Sequence, residues 1–291
     1  MKCSLCPRSC NAERTLKTNN SGYCKMPLLP RVARADLHFW EEPCISGDKG
    51  SGTIFFSGCS LSCVYCQNFD ISHKEYGKDI SFERLSDIFK ELEDRGAHNI
   101  NLVNPTHYVY AIKKALDIYK PKIPIVYNSG GYDKTEILKS LREYVDIYLL
   151  DFKYIDSNKA MLYSNAKNYP LITKNAILEC YSQNEVPVFK DGIMQKGLII
   201  RHLVLPKATN DAIKIFDWYR ENTPNAYFSL MSQYCPLGRA EEYKDICRKI
   251  TAREYEKVLD YIMQFETDNV FIQEKSSNSS KYVPKFDLTG V

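Results

Sequence analysis

Short apolar runs alternate along the chain with longer stretches whose apolar residues recur at helical spacing. The short runs predict strands at residues 53–58, 100–104, 123–127, 146–151, 198–205, 226–231 and 270–272. Amphipathic helices are expected between them, such as one that places Phe82, Leu85, Ile88, Phe89 and Leu92 on one face. Six consecutive strand–helix units imply parallel strands that are joined by right-handed crossovers.

Local signals mark where three of these helices begin. Thr106 can cap a helix after the second strand, and Thr251 with Glu254 forms a capping box before the last helix. Asp133 and Glu136 have the same spacing and predict another capped start. A closed eight-unit barrel would need more chain, so the pattern leaves a partial parallel barrel or a doubly wound sheet.

The chain divides into residues 1–50, the strand–helix repeat at 51–273 and a tail at 274–291. The first is cysteine-rich and has no clear period, so we expect a metal-binding segment there. Residues 185–197 look like an insertion, in which Asp191 and Gly192 predict a hairpin turn. The polar run at 275–280 predicts a mobile tail, after which residues 284–287 are expected to return to the body.

Composition narrows the class of protein. The chain has 291 residues and a formal net charge of +3, which is too small to indicate nucleic-acid binding by itself. No apolar run is long enough for a membrane span, and the start lacks a secretory signal, so we expect a cytoplasmic protein. Eleven cysteines in such a protein favour metal ligands over disulfides.

Three cysteines with the spacing C-x3-C-x2-C directly follow the first predicted strand: Cys59, Cys63 and Cys66. Thiolates favour iron–sulfur clusters, zinc or copper, and a [4Fe–4S] cluster usually takes four of them. Three in one loop would leave one iron open to a substrate or cofactor. A structural zinc loop or three unrelated core cysteines are the alternatives, although zinc sites normally pair two C-x2-C halves.

This loop resembles the signature of the radical S-adenosylmethionine enzymes, because Tyr65 supplies the aromatic residue before the last cysteine. By this resemblance, Tyr65 is also a candidate for binding the cofactor. The sequence from Gly50 to Cys59 and from Cys66 to Asn68 is more specifically similar to that of the pyruvate formate-lyase activating enzymes and their uncharacterised relatives. The resemblance implies a partial (β/α)6 parallel barrel and a cluster whose open iron chelates S-adenosylmethionine. It also implies that an electron from the cluster cleaves this cofactor to methionine and a 5′-deoxyadenosyl radical.

Polar residues after the predicted strands are candidates for binding the cofactor, because strand carboxyl ends form the active face of such barrels. Asn104 follows the second strand, where many relatives carry a Gly-Gly-Glu stretch that this chain lacks. Asn104 and Thr106 are candidates to accept the hydrogen bond that this stretch makes to the methionyl amine, although Thr106 is equally well explained as a helix cap. His107 is a ligand-facing donor or an ordinary first-turn histidine, and we favour the latter. Asn128 follows the third strand and is a cofactor candidate by resemblance, or else part of a glycine-containing turn.

Asp151 and Lys153 close the fourth strand and match an Asp-x-Lys element of the activating enzymes. The resemblance implies that the lysine pairs with the cofactor carboxylate and that the aspartate lies near the ribose; a structural ion pair is the alternative. Arg201 and His202 lie in the fifth strand, where one residue of register decides which of them faces the cavity. His202 is our candidate for a cofactor- or substrate-facing residue, against the alternative of a core histidine.

A second set of cysteines lies at the amino terminus: Cys3, Cys6, Cys10 and Cys24. Four thiolates suit a closed zinc site or an auxiliary iron–sulfur cluster that passes electrons inward. Reduced, unbound cysteines are the alternative. The remaining cysteines have no partners in any motif, so we expect them to be ordinary: Cys44, Cys180, Cys235 and Cys247.

The sequence therefore predicts a radical S-adenosylmethionine enzyme that abstracts hydrogen, with a glycyl radical enzyme as its partner and a flavodoxin- or ferredoxin-type electron donor. No side chain need act as a general base in such a step. One alternative is the same chemistry on a peptide, nucleoside or small metabolite. Another is a non-catalytic electron-transfer protein with two cysteine sites. The first predicts turnover without a glycyl radical partner, and the second predicts a cluster without cofactor cleavage.

Overall fold

A mostly parallel sheet organises the computed structural model, which describes residues 2–20, 22–265, 268–273 and 284–291. In chain order, the strands of the described residues are β1 (Glu13–Arg14), β2 (Asn19–Asn20), β3 (Arg31–His38), β4 (Ser51–Phe56), β5 (Lys78–Asp79), β6 (Ile100–Val103), β7 (Ile125–Ser129), β8 (Ile147–Asp151), β9 (Val188–Lys190), β10 (Ile193–Leu203), β11 (Tyr227–Met231) and β12 (Val270–Ile272). The main sheet has the order β12–β11–β10–β8–β7–β6–β4–β3–β5 and does not close on itself. Its strands from β4 to β12 along this path are all parallel.

Helices connect the strands, and from the third helix onwards they cover one face of the sheet. They are α1 (Pro43–Ser46), α2 (Phe69–Ser72), α3 (Phe82–Asp94), α4 (Val109–Ile118), α5 (Thr135–Lys139), α6 (Ser157–Ser164), α7 (Tyr169–Gln183), α8 (Thr209–Asn222) and α9 (Ala252–Ile262). Helices α3 to α9 all contribute to one large apolar core on the outer face. The prediction of a partial (β/α)6 parallel barrel is confirmed, because a doubly wound sheet would carry helices on both faces.

A second, smaller core fills the concave side of the sheet. Ile147, Leu149 and Ile199 face inward and pack against Cys44 and Ile45 of α1. Successive residues of a strand point to opposite faces, so neighbouring positions of β10 belong to different cores. α1 thus closes the bottom of the barrel, and the carboxyl ends of the strands remain at the other end.

One of the three predicted helix starts is confirmed, and the caps predicted at Asp133 and Thr106 are not formed. Thr251 and Glu254 form the predicted capping box at the start of α9. The predicted cap at Asp133 is wrong, because α5 begins at Thr135 without a side-chain cap. The Asp133 carboxylate is buried and instead accepts hydrogen bonds from the hydroxyls of Thr106, Tyr127 and Ser129. Thr106 is thereby tied to the end of β7, and a short 3₁₀ turn precedes α4.

Segments outside the strand–helix repeat extend the sheet at its edge. β3 pairs antiparallel with β4, a strand that the sequence pattern did not reveal. The hairpin predicted at Asp191 and Gly192 is confirmed, with both residues at positive φ between β9 and β10. The backbones of Leu288 and Thr289 bond to Ala33 and Ala35 of β3, so the carboxy-terminal residues lie against the body. The predicted mobile run at 275–280 lies outside the described residues.

Candidate active site

The loop of Cys59, Cys63 and Cys66, the cluster loop, begins where β4 ends. Gly58 opens this loop at φ +81°, and a Cβ there would stand 2.3 Å from Met26 Cγ and 2.9 Å from the Cys24 carbonyl oxygen. Only glycine tolerates this combination of positive φ and close approach. The chain can therefore turn sharply from the strand into the loop while the amino-terminal segment packs directly against it.

Each of the three sulfurs receives a hydrogen bond from the protein. The Leu61 backbone N–H donates to Cys59 Sγ at 3.3 Å. Ser164 Oγ donates to Cys63 Sγ at 2.9 Å, and Ser72 Oγ donates to Cys66 Sγ at 3.3 Å. Burial raises the pKa of Cys66 to about 12 and raises that of Cys63 as well, so these thiols are neutral without a metal. A metal that binds them would have to displace their protons. The donors would then tune a bound cluster through its sulfurs.

A cavity of about 230 Å³ opens beside this loop at the carboxyl ends of the strands. Cys63, Tyr65 and Cys66 line one side of it. Apolar and aromatic side chains from the strands and from the segment after β3 line another side: Trp40, Phe55, Val103, Leu203 and Met231. Three soft ligands beside a cavity with charged groups fit a cluster that keeps one iron open. Among the described residues, however, no three metal-binding side chains already stand at the spacing of ligands to one ion.

Four charged side chains form a network on the cavity floor. Lys153 Nζ donates to Asp151 Oδ2 at 2.6 Å, and Arg201 Nε donates to Asp151 Oδ1 at 2.9 Å. The same guanidinium donates to Glu41 Oε2 at 3.0 Å and to Asn128 Oδ1 at 2.6 Å. Burial alone would raise the pKa of Asp151, but the positive charges of Arg201 and Lys153 outweigh it and lower that pKa. Two acidic and two basic side chains are therefore joined in one network on the cavity floor.

The structure brings together most of the predicted cofactor residues. Tyr65, Asn128, Asp151 and Lys153 all line the cavity that also contains two of the loop cysteines. The Lys153 side chain is 21% exposed, and although partial burial lowers its pKa, the Asp151 charge outweighs this and raises the pKa above its ordinary value. The hydroxyl of Tyr65 lies 2.7 Å from that of Tyr154, which links the aromatic residue to the wall of the site.

Two predicted residues do not reach the cavity. Asn104, at φ +60°, donates from its side-chain amide to the Gly58 carbonyl oxygen and so supports the start of the cluster loop. His202 is buried, and its Nδ1 lies 2.7 Å from the Phe152 carbonyl oxygen, while its Nε2 has no hydrogen-bond partner among the described residues. Burial lowers the pKa of His202 to about 4, which keeps the ring neutral.

Arg201 and Glu41 are the site residues that the sequence did not assign. Arg201 pairs in register with Asp151, and its side chain points into the barrel, whereas His202 has the outward parity of Ile200. The adjacent Arg-His pair was the signal for Arg201, because neighbouring residues of a strand point to opposite faces and only one of the two can face the cavity. Glu41 comes from the segment between β3 and α1, which lacks any periodic pattern, so no local signal marked it.

The amino-terminal cysteines lie together beside the cluster loop. Cys3 and Cys6 are buried, Cys24 is half-buried and Cys10 is exposed. Burial raises the pKa of Cys6 to about 12, and the neighbouring thiols of Cys24, Cys3 and Cys10 add to that rise. One nitrogen of the buried Arg14 guanidinium lies 3.5 Å from Cys3 Sγ. The segment therefore combines four neighbouring thiols with a buried positive charge.

Comparison with known proteins identifies the family. Residues 53–188 match the family model described as the Radical SAM superfamily. An uncharacterized protein of Methanocaldococcus jannaschii is 32% identical over 280 residues, which make up 92% of this chain and 76% of that protein. The chain belongs to the radical S-adenosylmethionine superfamily, and this membership implies a [4Fe–4S] cluster and S-adenosylmethionine.

Other relatives cover less of the chain. The pyruvate formate-lyase-activating enzyme of Clostridium pasteurianum is 31% identical over 116 residues, or 36% of this chain and 46% of that enzyme. SuiB of Streptococcus suis, solved bound to precursor peptide SuiA, has a TM-score of 0.53 at 17% identity over 74% of this chain and 46% of SuiB. Methylornithine synthase has a TM-score of 0.50 at 14% identity over 74% of this chain and 68% of that protein.

These structural likenesses show the fold alone. The chain spans just under half the length of SuiB and of the Clostridium pasteurianum enzyme. None of the described helices has the length and apolar character of a bilayer-spanning segment.

Proposed function

We propose that this protein cleaves S-adenosylmethionine at a [4Fe–4S] cluster on Cys59, Cys63 and Cys66 and directs the resulting radical at a C–H bond. The observation that carries the proposal is that two of these cysteines share one cavity with Lys153 and Asp151. The bound cluster would supply the electron that splits the cofactor into methionine and a 5′-deoxyadenosyl radical. The protein itself would bind the cofactor, orient it towards the substrate and shield the radical from solvent.

The charged floor gives each side chain a role in holding the cofactor. Lys153 is a compact cation, so its ammonium would pair with the methionyl carboxylate. Asp151 and Asn128 offer oxygens and an amide for the ribose hydroxyls and the amino group. Arg201 would remain bonded to Asp151 and hold that carboxylate in its orientation. The apolar side of the cavity, with Phe55, Leu203 and Met231, would keep water away from the radical.

A glycyl radical enzyme is the substrate that we propose. The match to the Clostridium pasteurianum activating enzyme supports this proposal. The sequence on either side of the cluster loop, which resembles that of the activating enzymes, supports it as well. The side chain of Trp40 lines the cavity and is 61% exposed, so the cavity is bordered by a large aromatic surface that a partner's loop could contact. Hydrogen abstraction from a backbone glycine needs no general base.

The same site supports a second candidate, a radical enzyme acting on a peptide or small molecule. SuiB was solved with a precursor peptide, and methylornithine synthase shares the fold. The absence of the Gly-Gly-Glu stretch after β6 also favours a departure from the activating enzymes. A non-catalytic electron-transfer protein is the third candidate, which the amino-terminal cysteines would suit.

We further propose that Cys3, Cys6, Cys10 and Cys24 bind a second metal, either zinc or an auxiliary iron–sulfur cluster. The Arg14 guanidinium beside Cys3 would compensate the negative charge of four thiolates. Because Cys10 is exposed, a flavodoxin- or ferredoxin-type donor could approach this edge. Metal analysis of the anaerobically purified protein, with a Cys3→Ser, Cys10→Ser double variant as control, tests this site. Equal metal content in both proteins would argue against it.

One experiment separates the three candidate functions. The reduced protein is mixed with S-adenosylmethionine and a pyruvate formate-lyase, and both the electron paramagnetic resonance spectrum and 5′-deoxyadenosine are recorded. A new organic radical on the partner, absent with a Cys59→Ala, Cys63→Ala, Cys66→Ala control, supports the activating role. 5′-Deoxyadenosine without a radical on the partner favours the peptide or small-molecule enzyme. A reduced cluster without 5′-deoxyadenosine favours electron transfer.

A further inference from the structure

Arg8, between Cys6 and Cys10, joins the amino-terminal segment to the cluster loop. Its guanidinium donates to the Ser60 carbonyl oxygen at 2.7 Å, inside the loop. It also donates to the carbonyl oxygens of Ser164, at 3.1 Å, and of Asn165, at the end of α6. One planar fork therefore holds three carbonyl groups from two different parts of the barrel, a geometry that lysine does not reproduce.

Arg8 links the two cysteine sets by its place in the chain and by its contacts. It stands two residues after Cys6 and two residues before Cys10. On the other side, Ser164, whose carbonyl group Arg8 holds, donates its hydroxyl to Cys63 Sγ at 2.9 Å. A chain of hydrogen bonds thus runs from Arg8, which stands between two amino-terminal cysteines, through Ser164 to a sulfur of the cluster loop.

Tyr23, next to Cys24, reinforces the same junction. The Arg8 guanidinium lies 4.0 Å from the Tyr23 ring centre, and the Tyr23 hydroxyl donates to the Leu61 carbonyl oxygen at 3.2 Å. A cation near a cluster and hydrogen bonds to its sulfurs are the features that set its reduction potential. A shift of the amino-terminal segment would therefore change both at Cys63.

We propose that Arg8 is a positioning residue that couples the two cysteine sets, so that the state of the amino-terminal thiols sets the reduction potential of the cluster on Cys59, Cys63 and Cys66. This inference rests on the proposed function, because it requires the cluster loop to hold a cluster. It assigns the amino-terminal segment a regulatory task that holds whether its metal is zinc or iron–sulfur.

A double-mutant cycle on the full-length, reconstituted protein tests the coupling. Cys10→Ser perturbs the amino-terminal cysteines at an exposed position, and Arg8→Gln removes the guanidinium that bonds to the three carbonyl groups. The reduction potential is measured by titration with dithionite, following the spectroscopic signal that Cys59→Ala, Cys63→Ala, Cys66→Ala abolishes. In otherwise wild-type protein, we expect Cys10→Ser to change the ratio of reduced to oxidised cluster at a fixed potential at least threefold, about 28 mV for one electron. With Arg8→Gln present, we expect no such change.

Controls keep the result interpretable. Arg248→Gln removes a guanidinium that bonds to Lys249 and Glu254 at the start of α9, and it should leave the Cys10→Ser effect intact. If Arg8→Gln does not fold, Tyr23→Phe removes one hydroxyl from the same junction and should reduce the effect. The inference would be overturned if Cys10→Ser changed the reduced-to-oxidised ratio of the cluster just as much in the Arg8→Gln background. It would also be overturned if Cys10→Ser had no effect on this ratio when Arg8 is present. Absence of the loop signal from wild type would instead overturn the proposed function, and the inference with it.

Discussion

Arg201 Nε donates to Asp151 Oδ1 at 2.9 Å, between residues that face each other in register on neighbouring strands β10 and β8. Both side chains are largely buried, with 14% and 15% of their surface exposed, and the same guanidinium also reaches Glu41. This one cation therefore compensates two acids on the cavity floor. Lys153 Nζ donates to the other carboxylate oxygen of Asp151, Oδ2, at 2.6 Å.

Replacing Arg201 should be costly for stability. Arg201→Met would leave Glu41 without its cation and Asp151 with only Lys153, and breaking a buried pair in this way costs about 3–5 kcal/mol. Chemical unfolding monitored by circular dichroism measures the loss. Arg31→Met is the matched control, because Arg31 pairs with Asp79 near the surface and its removal should cost about 1 kcal/mol or less. Equal losses for the two variants would contradict the account of the floor.

Lys153 should contribute to cofactor affinity more than to folding. Lys153→Met removes a charge-assisted hydrogen bond to the cofactor carboxylate, worth about 1.5–3 kcal/mol, so the Kd for S-adenosylmethionine should rise roughly tenfold or more. Asp151 would keep its bond to Arg201, so the variant should still fold. Equilibrium dialysis measures the Kd, and Lys207→Met, at a surface pair with Asp245, serves as control. An unchanged Kd in Lys153→Met would remove this residue from the binding site.

Two glycines separate backbone strain from crowding. Gly58 and Gly96 have nearly the same φ, +81° and +83°, but a Cβ at Gly96 meets nothing within 4 Å, whereas one at Gly58 collides with Met26. Gly96→Ala should cost about 1–2 kcal/mol from the left-handed backbone alone. Gly58→Ala should cost about 1–3 kcal/mol more from overpacking, and it should also lower the iron content after reconstitution. Similar losses of stability and iron in both variants would contradict the proposed packing of the amino-terminal segment on the loop.

The buried His202 should make stability depend on pH. Burial lowers its pKa to about 4, below its ordinary value of about 6.5, so the folded protein binds fewer protons than the unfolded chain in this window. Its contribution is complete above pH 6.5 and is lost as the pH falls towards 4. The loss of unfolding free energy from pH 7 to pH 5 should be smaller in His202→Asn by about 2 kcal/mol. Urea titrations at the two pH values measure this difference, and identical losses would show that His202 is not held neutral.

The sequence pattern predicted the architecture because each strand and helix carries its own periodicity. The six parallel units follow from apolar runs that must be buried on both faces, and Cys59, Cys63 and Cys66 follow from spacing within one loop. Asp151 and Lys153 could be predicted for the same reason, since Asp151 is the last residue of β8 and Lys153 follows two positions later. Local order along the chain was sufficient for these features.

The rest of the site depends on contacts between distant segments. Whether Arg201 or His202 faces the cavity depends on a strand register that one residue of slip reverses. Glu41 enters the floor from an irregular segment, and Arg8 meets Ser164 across 156 positions of sequence. Asp133 has the spacing of a helix cap, but three hydroxyl donors from the neighbouring strand end and turn hold its carboxylate instead. Such contacts leave no periodic trace in the chain.

The most direct measurement of the central claim is cofactor cleavage by the isolated protein. The chain is reconstituted anaerobically with iron and sulfide, reduced with dithionite and incubated with S-adenosylmethionine, and 5′-deoxyadenosine is measured by chromatography. The account predicts this product from wild type and none from the Cys59→Ala, Cys63→Ala, Cys66→Ala variant. A fully reduced cluster in wild type that yields no 5′-deoxyadenosine would contradict it.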